Sequence, residues 1–302
     1  MSDPWPVTRL RAAMPEGDTV WRTAQRLHQA LAGEQVARWD LRWGDLATSD
    51  LAGSTTLEVV SRGKHLLHRL DAGLTLHSHL RMEGQWRVED TASLTVRAVT
   101  NPQVRAVVGT ARWTAIGLRL GMLDLVPTSQ EPTLVGHLGP DVLGPDWAVD
   151  LAVANVLGAG VSVGEALLDQ RNLAGVGTLW ACESLFLERI GPWTPADELG
   201  EVATTAVVSR AHRLIDAARH HAVQTSTGSR RRGETSYVHA RSGRPCRRCG
   251  ETVRVAPIGP ASRERTMFYC PACQGGLAPT DDGRAQRPLG SSGARGTAYR
   301  RG

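Results

Sequence analysis

Two cysteine pairs, Cys246-x2-Cys249 and Cys270-x2-Cys273, stand 20 residues apart near the C-terminus. Pairs at this spacing bring four thiolates within tetrahedral reach of one ion, so this stretch is expected to fold as a small ribbon pinned by zinc. Two disulfides are the competing arrangement, and a reducing cytoplasm disfavours them. Val253 to Val255 and Thr266 to Tyr269 read as the two strands of the ribbon, which puts Arg265 at the entry of the second. The fifth cysteine, Cys182, lies among apolar neighbours in a helical stretch and reads as core.

The charge is distributed unevenly around this ribbon. Residues 1–229 hold 20 basic and 25 acidic residues, whereas residues 230–302 hold 15 and 5. A C-terminal quarter this rich in arginine has the electrostatic footprint of a polyanion binder, nucleic acid being the commonest partner. Arg265 is then a natural finger toward a phosphate or an opened base pair. Of the 35 basic residues, 34 are arginine and one, Lys64, is lysine. Where charge alone matters arginine has replaced lysine, so Lys64 is expected to need a compact ammonium that a guanidinium cannot imitate.

With 302 residues, 41% of them hydrophobic, the chain can bury the cores of two or three domains. It contains no run of about 18 apolar residues and no apolar leader, so a cytoplasmic protein is expected and a membrane span is not.

Residues 1–13, with Pro4, Trp5 and Pro6 and no clear periodicity, read as a disordered extension. Then comes Met14-Pro15-Glu16-Gly17-Asp18. Inside a chain the proline nitrogen is a tertiary amide, but as a first residue it is a secondary amine that can attack carbon and leave an iminium, with Glu16 beside it as acid or base. The same residues also suit an ordinary turn before a helix. Asp18 and Thr19 can cap that helix, Val20, Ala24, Leu27 and Leu31 form its apolar stripe, and Gly33 stands at its C-terminal stop.

From Val36 to about Val126 the pattern is short strands, among them Leu57–Val60, His65–Leu70, Leu74–Leu80 and Gln85–Val88, the third alternating as a half-buried strand does. His65, His68, His77 and His79 read as strand histidines, with no carboxylate placed beside them in sequence. Residues 129–150, rich in Pro and Gly, read as a linker between a domain at 14–128 and a helical one at 151–236. Helical spacing covers Val163–Gln170, Gly177–Glu188 and Ala196–His221, with a start at Thr194-Pro195. The turn Arg171-Asn172-Leu173-Ala174-Gly175-Val176-Gly177 could present backbone amides and Asn172 to a phosphate, or could simply pack two helices. Thr225–Ser236 reads as a flexible basic loop, 237–276 as the metal finger, and 277–302 as a disordered tail.

These pieces together resemble the formamidopyrimidine-DNA glycosylase and endonuclease VIII family of base-excision repair enzymes. The likeness rests on MPEGD at 14–18, RGKHLL at 62–67, HLRMEGQWRV at 79–88, DQRNLAGVGTLWACESLF at 169–186 and the segment around the four cysteines. It implies an α+β multi-domain fold: an N-terminal β-sandwich with flanking helices, a helix-two-turn-helix module, and a C-terminal β-ribbon zinc finger, with damaged DNA held between them by a monomer. It implies that Pro15 attacks C1′ of the damaged nucleoside, that Glu16 is the catalytic glutamate and that Lys64 contacts the lesion-bearing sugar and phosphate. It further implies that Asn172 and Arg265 bind phosphate, that Arg81 and Met82 belong to the loop filling the gap left by an extruded nucleotide, and that zinc on Cys246, Cys249, Cys270 and Cys273 is structural.

The chain also departs from the pattern. Thirteen residues precede Met14, so translation is expected to start at Met14, with Met removed before Pro15. Thr19 replaces a second glutamate of many relatives, Glu83 stands where some place a tyrosine wedge, and His239-Ala240-Arg241 replaces tyrosine-glycine-arginine. The Glu-Gly-Asp start and the Arg81–Arg87 segment lie nearer the endonuclease VIII side, so a bifunctional glycosylase and abasic-site lyase acting on oxidised pyrimidines is expected. The competing readings are an oxidised-purine glycosylase, a catalytically silent damage binder and a general zinc-ribbon nucleic-acid protein.

Overall fold

The apolar stripe Val20, Ala24, Leu27, Leu31 is buried along its whole length, as a helix lying on a sheet requires. In the computed structural model, which describes residues 15–288, these residues belong to α1 (Gly17–Leu31). The start differs from the expected one. Glu16 is the N-cap residue, through its backbone alone, and Asp18 lies inside the first turn, its carboxylate paired with Arg22 at 3.2 Å. Ala32 is the C-cap and Gly33 follows at φ 78°, a left-handed turn suited to glycine. The extension 1–13, Met14 and residues 289–302 lie outside the described residues.

The described residues divide between His137 and Leu138 into two units. In the first, β1 (Arg38–Leu41), β6 (Val104–Gly109), β7 (Trp113–Leu118) and β5 (Gln85–Asp90) form one antiparallel sheet in that order. β2 (Thr56–Arg62), β3 (His65–Leu70), β4 (Leu74–His79) and β8 (Met122–Pro127) form the other. Val59, Leu66, Leu76 and Leu123 from the second sheet share a core with Trp86, Val108 and Ala115 from the first and with α1. α2 (Val96–Thr100) adds Val99 to a smaller cluster with Val107 and Ile116.

β4 is not the half-buried strand its alternation suggested. Thr75, His77 and Ser78 are buried along with Leu76, because the segment 128–137 covers its polar face. α3 (Glu131–Val135) supplies Glu131, whose carboxylate takes Arg69 at 2.7 Å and the Thr75 hydroxyl at 2.6 Å. The expected linker therefore begins as part of the first unit.

The second unit carries α4 (Val149–Leu157), α5 (Val163–Leu168), α6 (Thr178–Leu187), α7 (Glu201–Ala218) and the hairpin β9 (Arg254–Ile258) and β10 (Arg265–Tyr269). α4 falls partly in the expected linker, and α7 starts at Glu201, because residues 194–200 turn instead of coiling. Helices and finger are not separate bodies: Trp180, Leu185 and Val207 share one core with Val253, Ile258, Met267 and Cys270. Cys182 is in that core, its Sγ accepting the Phe268 N–H at 3.2 Å.

Residues 277–288 are also a correction to the expected disordered tail. Asp281 pairs with Arg254 and accepts from the Tyr269 hydroxyl at 2.6 Å. The Gln286 amide both accepts from Val255 N (2.8 Å) and donates to Val255 O (3.0 Å), as a neighbouring strand would. Among the described residues no helix is long and apolar enough to cross a membrane.

Candidate active site and nucleic-acid interface

Register alone gathers the sequence-predicted residues of the first unit at one end. α1 runs antiparallel to β2: Gly33 N bonds Thr56 O at 2.8 Å, and His28 Nδ1 accepts from Val59 N at 3.2 Å. From His28 back to Glu16 is about 18 Å of helix, and from Val59 on to Lys64 about 16 Å of strand, so Glu16 and Lys64 end level with each other. Pro15 is half-buried and Glu16 buried at 2% exposure. Lys64 occupies the turn between β2 and β3, where Gly63 has φ 56°. Across the sheet His65 stands opposite His79, and His79 opposite Met122, which brings the loop after β4 and the turn before β8 to the same end.

That loop is a tight turn closed by Gly84 N donating to Leu80 O at 2.9 Å. Arg81 has φ 50° and donates its N–H to His79 Nδ1 at 2.9 Å. Its aliphatic stem lies so close over Gly121 that any Cβ there would collide with it. Met82 stands at the tip, 64% exposed. Sequence reasoning missed Arg119, at φ 49° in the turn before β8, which reaches Glu83 at 3.3 Å. Nothing in its local sequence marks it, since its partner is 36 residues away.

The histidines are likewise more than isolated strand residues. His65, His77 and His79 share one face, and a carboxylate does stand with them: Asp124 Oδ2 is 2.8 Å from His77 Nδ1, while His77 Nε2 is 2.8 Å from His65 Nδ1. The exposed His137 ring lies edge-on to His65 at 6.5 Å. Burial first, then neighbouring imidazoles and Lys64, lowers His65 to about 3. Burial, then Lys64, lowers His79 to about 4. His68 points to the opposite face, hydrogen-bonded to Thr56 at 2.9 Å, and burial lowers it to about 4.

In the second unit the turn between α5 and α6 is held from inside by Gln170. Its amide donates to Val176 O at 2.9 Å and accepts from Gly175 N at 3.0 Å. Asn172 donates its side-chain amide to Ala166 O at 2.9 Å, and its backbone carbonyl accepts from the Asn155 side-chain amide at 3.1 Å. Gly139 approaches the Arg171 and Asn172 backbone too closely to carry a Cβ. Arg265 is exposed, opposite Ile258, and Gly259 beside that position packs near Glu165 of α5. Asn172 thus bonds to α5, and the turn next to the strand partner of Arg265 lies near the same helix.

The sulfur atoms of Cys246, Cys249, Cys270 and Cys273 all lie within 4.8 Å of one another. This spacing fits four thiolates on one tetrahedral ion, and none of the four is in a disulfide. A backbone N–H from Glu251 lowers the Cys249 thiol, while burial raises Cys270 and Cys273; a bound cation would oppose that rise. Both arginines inside the first pair are committed to backbone. Arg247 donates to Gly233 O at 2.6 Å, and Arg248 to Phe186 O at 2.9 Å with its guanidinium 4.2 Å over the Phe186 ring.

The basic loop is anchored where flexibility was expected. Buried Glu183 accepts from the Ser226 hydroxyl and from Tyr237 N (2.8 Å), Val238 N (2.9 Å) and His239 N (2.8 Å). His239 is itself packed edge-on against Phe268 at 5.1 Å, and burial lowers it to about 4. Ala240, at φ 56°, occupies a left-handed position, which explains why glycine is the residue expected there.

Residues 14–118 match the model of the formamidopyrimidine-DNA glycosylase N-terminal domain, and residues 138–230 that of the formamidopyrimidine-DNA glycosylase H2TH domain. The chain is 48% identical over 272 residues to a probable endonuclease 8 2 of Streptomyces coelicolor, covering 90% of this chain and 98% of that one. It is 40% identical over 262 residues to the DNA-(apurinic or apyrimidinic site) lyase Nei2 of Mycolicibacterium smegmatis, covering 86% and 99%. In fold it is similar to the Lactococcus lactis formamidopyrimidine-DNA glycosylase crystallised on abasic-site DNA. The TM-score is 0.71 at 22% identity, over 86% of this chain and 99% of that one.

Proposed function

The chain belongs to the formamidopyrimidine-DNA glycosylase family, and from that membership we propose that it is a bifunctional DNA glycosylase and abasic-site lyase of base-excision repair, with oxidised pyrimidines as its lesions. The observation that carries this reading is the convergence of Pro15, Glu16, Lys64 and the Met82 loop at one end of the first unit. The endonuclease 8 names of its relatives support the pyrimidine preference.

Translation from Met14 and removal of that Met frees the Pro15 amine, and the family match begins at residue 14. The amine loses its proton and forms a bond to C1′ as the bond to the damaged base breaks; the C1′–O4′ bond then opens, O4′ taking a proton from Glu16, and a ring-opened iminium is left. The iminium acidifies the C2′ proton, whose loss expels the 3′ phosphate, and a second elimination, with loss of the C4′ proton, expels the 5′ phosphate. Lys64 supplies a compact cation to the sugar and phosphate. Arg81 and Met82 fill the gap left by the extruded nucleotide, offsetting lost stacking. Asn172 and Arg265 hold phosphates from the helical turn and the finger.

Zn2+ on Cys246, Cys249, Cys270 and Cys273 would hold the finger in shape, since four protein thiolates leave no coordination position for a substrate. The site residues are tested with protein begun at Met14 and duplex DNA carrying an abasic site. Borohydride should trap a covalent complex that peptide mass maps to Pro15. Folded, metal-loaded protein that traps nothing would put the silent damage binder in front. Cleavage of a panel of oxidised pyrimidines and purines decides the lesion class.

A further inference from the structure

A chain of hydrogen bonds crosses three strands behind Lys64. The Asp124 carboxylate can only accept, so His77, 2.8 Å away, carries its proton on Nδ1. In the tautomer whose one proton is on Nδ1, His77 accepts at Nε2, and His65, 2.8 Å away, donates from Nδ1. The lone pair of His65 is thereby placed on Nε2. His79, opposite it on β4, has already committed its Nδ1 lone pair to the Arg81 N–H. Both rings feel the charge of Lys64, and Arg62 opposite His65 on β2, Arg81, and His137 after α3 stand near them as well.

We propose that His65 is a positioning residue for Lys64: its Nε2 lone pair, aimed through His77 by Asp124, accepts a hydrogen bond from the Lys64 ammonium and holds it toward the sugar and phosphate of the extruded nucleotide. This rests on the role of Lys64 given above. A lysine side chain loses considerable rotamer freedom when it is fixed, and an acceptor at its base removes part of that loss before DNA arrives. A neutral acceptor suits the purpose better than a carboxylate, which would cancel the charge and repel the phosphate. Asp124, the carboxylate of the relay, stays two rings away.

The test is a double-mutant cycle of His65→Leu and Lys64→Ala, with His65→Gln as the conservative variant whose Oε1 replaces Nε2 as acceptor. Borohydride trapping on abasic-site duplex is the first readout. His65→Leu should slow trapping about tenfold in the parent, as loss of a hydrogen bond to a charged group does, and by less than about twofold in the Lys64→Ala background. His65→Gln should recover most of the rate. An equal loss in both backgrounds, or His65→Gln as slow as His65→Leu, would overturn the proposal. Should His65→Leu not fold, Asp124→Ala interrupts the relay from the solvent side, and its slowing should be smaller and again vanish without Lys64. A parent protein that traps nothing refutes the glycosylase reading. The same cycle read as affinity for a duplex with a reduced, uncleavable abasic site then still decides the role of His65.

Discussion

Arg254 and Asp281 form an ion pair that is 7% and 1% exposed, with the Tyr269 hydroxyl donating to the same carboxylate. It ties the segment after the last cysteine to the finger strand β9. Removing one partner strands the other charge in the interior, so Asp281→Ala is expected to cost about 3 kcal/mol. A urea unfolding midpoint unchanged by the substitution would contradict this.

The same pair sets an acid limit. Arg254, then Tyr269, hold the Asp281 carboxyl down to about 2 against an ordinary 3.8, and burial with the Asp281 hydrogen bond pushes the Tyr269 hydroxyl up to about 12. A carboxyl depressed on folding contributes stability that is complete above its unfolded value and is lost as pH falls through the folded one. The difference in unfolding free energy between the parent and Asp281→Asn should therefore shrink between about pH 4 and pH 2.

Ala240 pays for a left-handed backbone without the freedom of glycine. Ala240→Gly is expected to stabilise the protein by about 1 kcal/mol, partly offset by the greater entropy of the unfolded glycine. Thermal unfolding of the two proteins compares them directly; a lower melting temperature for the glycine variant would show that the strain is relieved elsewhere.

Met82, at the exposed tip of a turn braced by His79 and Gly121, has no packing role to lose. Met82→Ala should leave stability unchanged and reduce kcat/KM on a lesion in duplex DNA about tenfold. On single-stranded DNA, where there is no stack to open, the reduction should be much smaller. Steady-state cleavage of the two substrates measures the ratio.

Stripping metal from the four cysteines should disturb more than the finger. Cys246 and Cys270 belong to the same core as Trp180 and Val207, so chelation should lower the melting of the helices along with DNA binding. A helical far-UV signal and melting temperature unaffected by full metal removal would show that the shared core stands without the ion.

Local patterns made much of this legible. The stripe from Val20 to Leu31, the runs that became β2 to β5, and the cysteine spacing are periodicities or short spacings that chemistry reads without tertiary context. Pro15, Glu16, Lys64, Asn172 and Arg265 could be named as candidates from motif and composition, whereas Arg81 and Met82 came only with the family resemblance. What failed was wherever a distant partner decides. β4 alternates like a half-exposed strand but is buried on both faces because α3 covers it with Glu131, 56 residues from Thr75. Thr225–Ser236 looks flexible until buried Glu183 takes the Ser226 hydroxyl at one end and the amides of Tyr237, Val238 and His239 just past the other. Residues 277–288 look like low-complexity tail until Asp281 meets Arg254 and Gln286 meets Val255.

By itself, then, the sequence determined most element types, the four-cysteine set of the finger and a list of candidate site residues, because spacing and motif are read close along the chain. Only the tertiary structure decided that Glu16 and Lys64 end level on an antiparallel helix and strand, and that Asp124, His77 and His65 form one relay. Helix and strand lengths are local, but a hydrogen bond between imidazoles on neighbouring strands depends on register. Register follows from the whole sheet and the core beneath it.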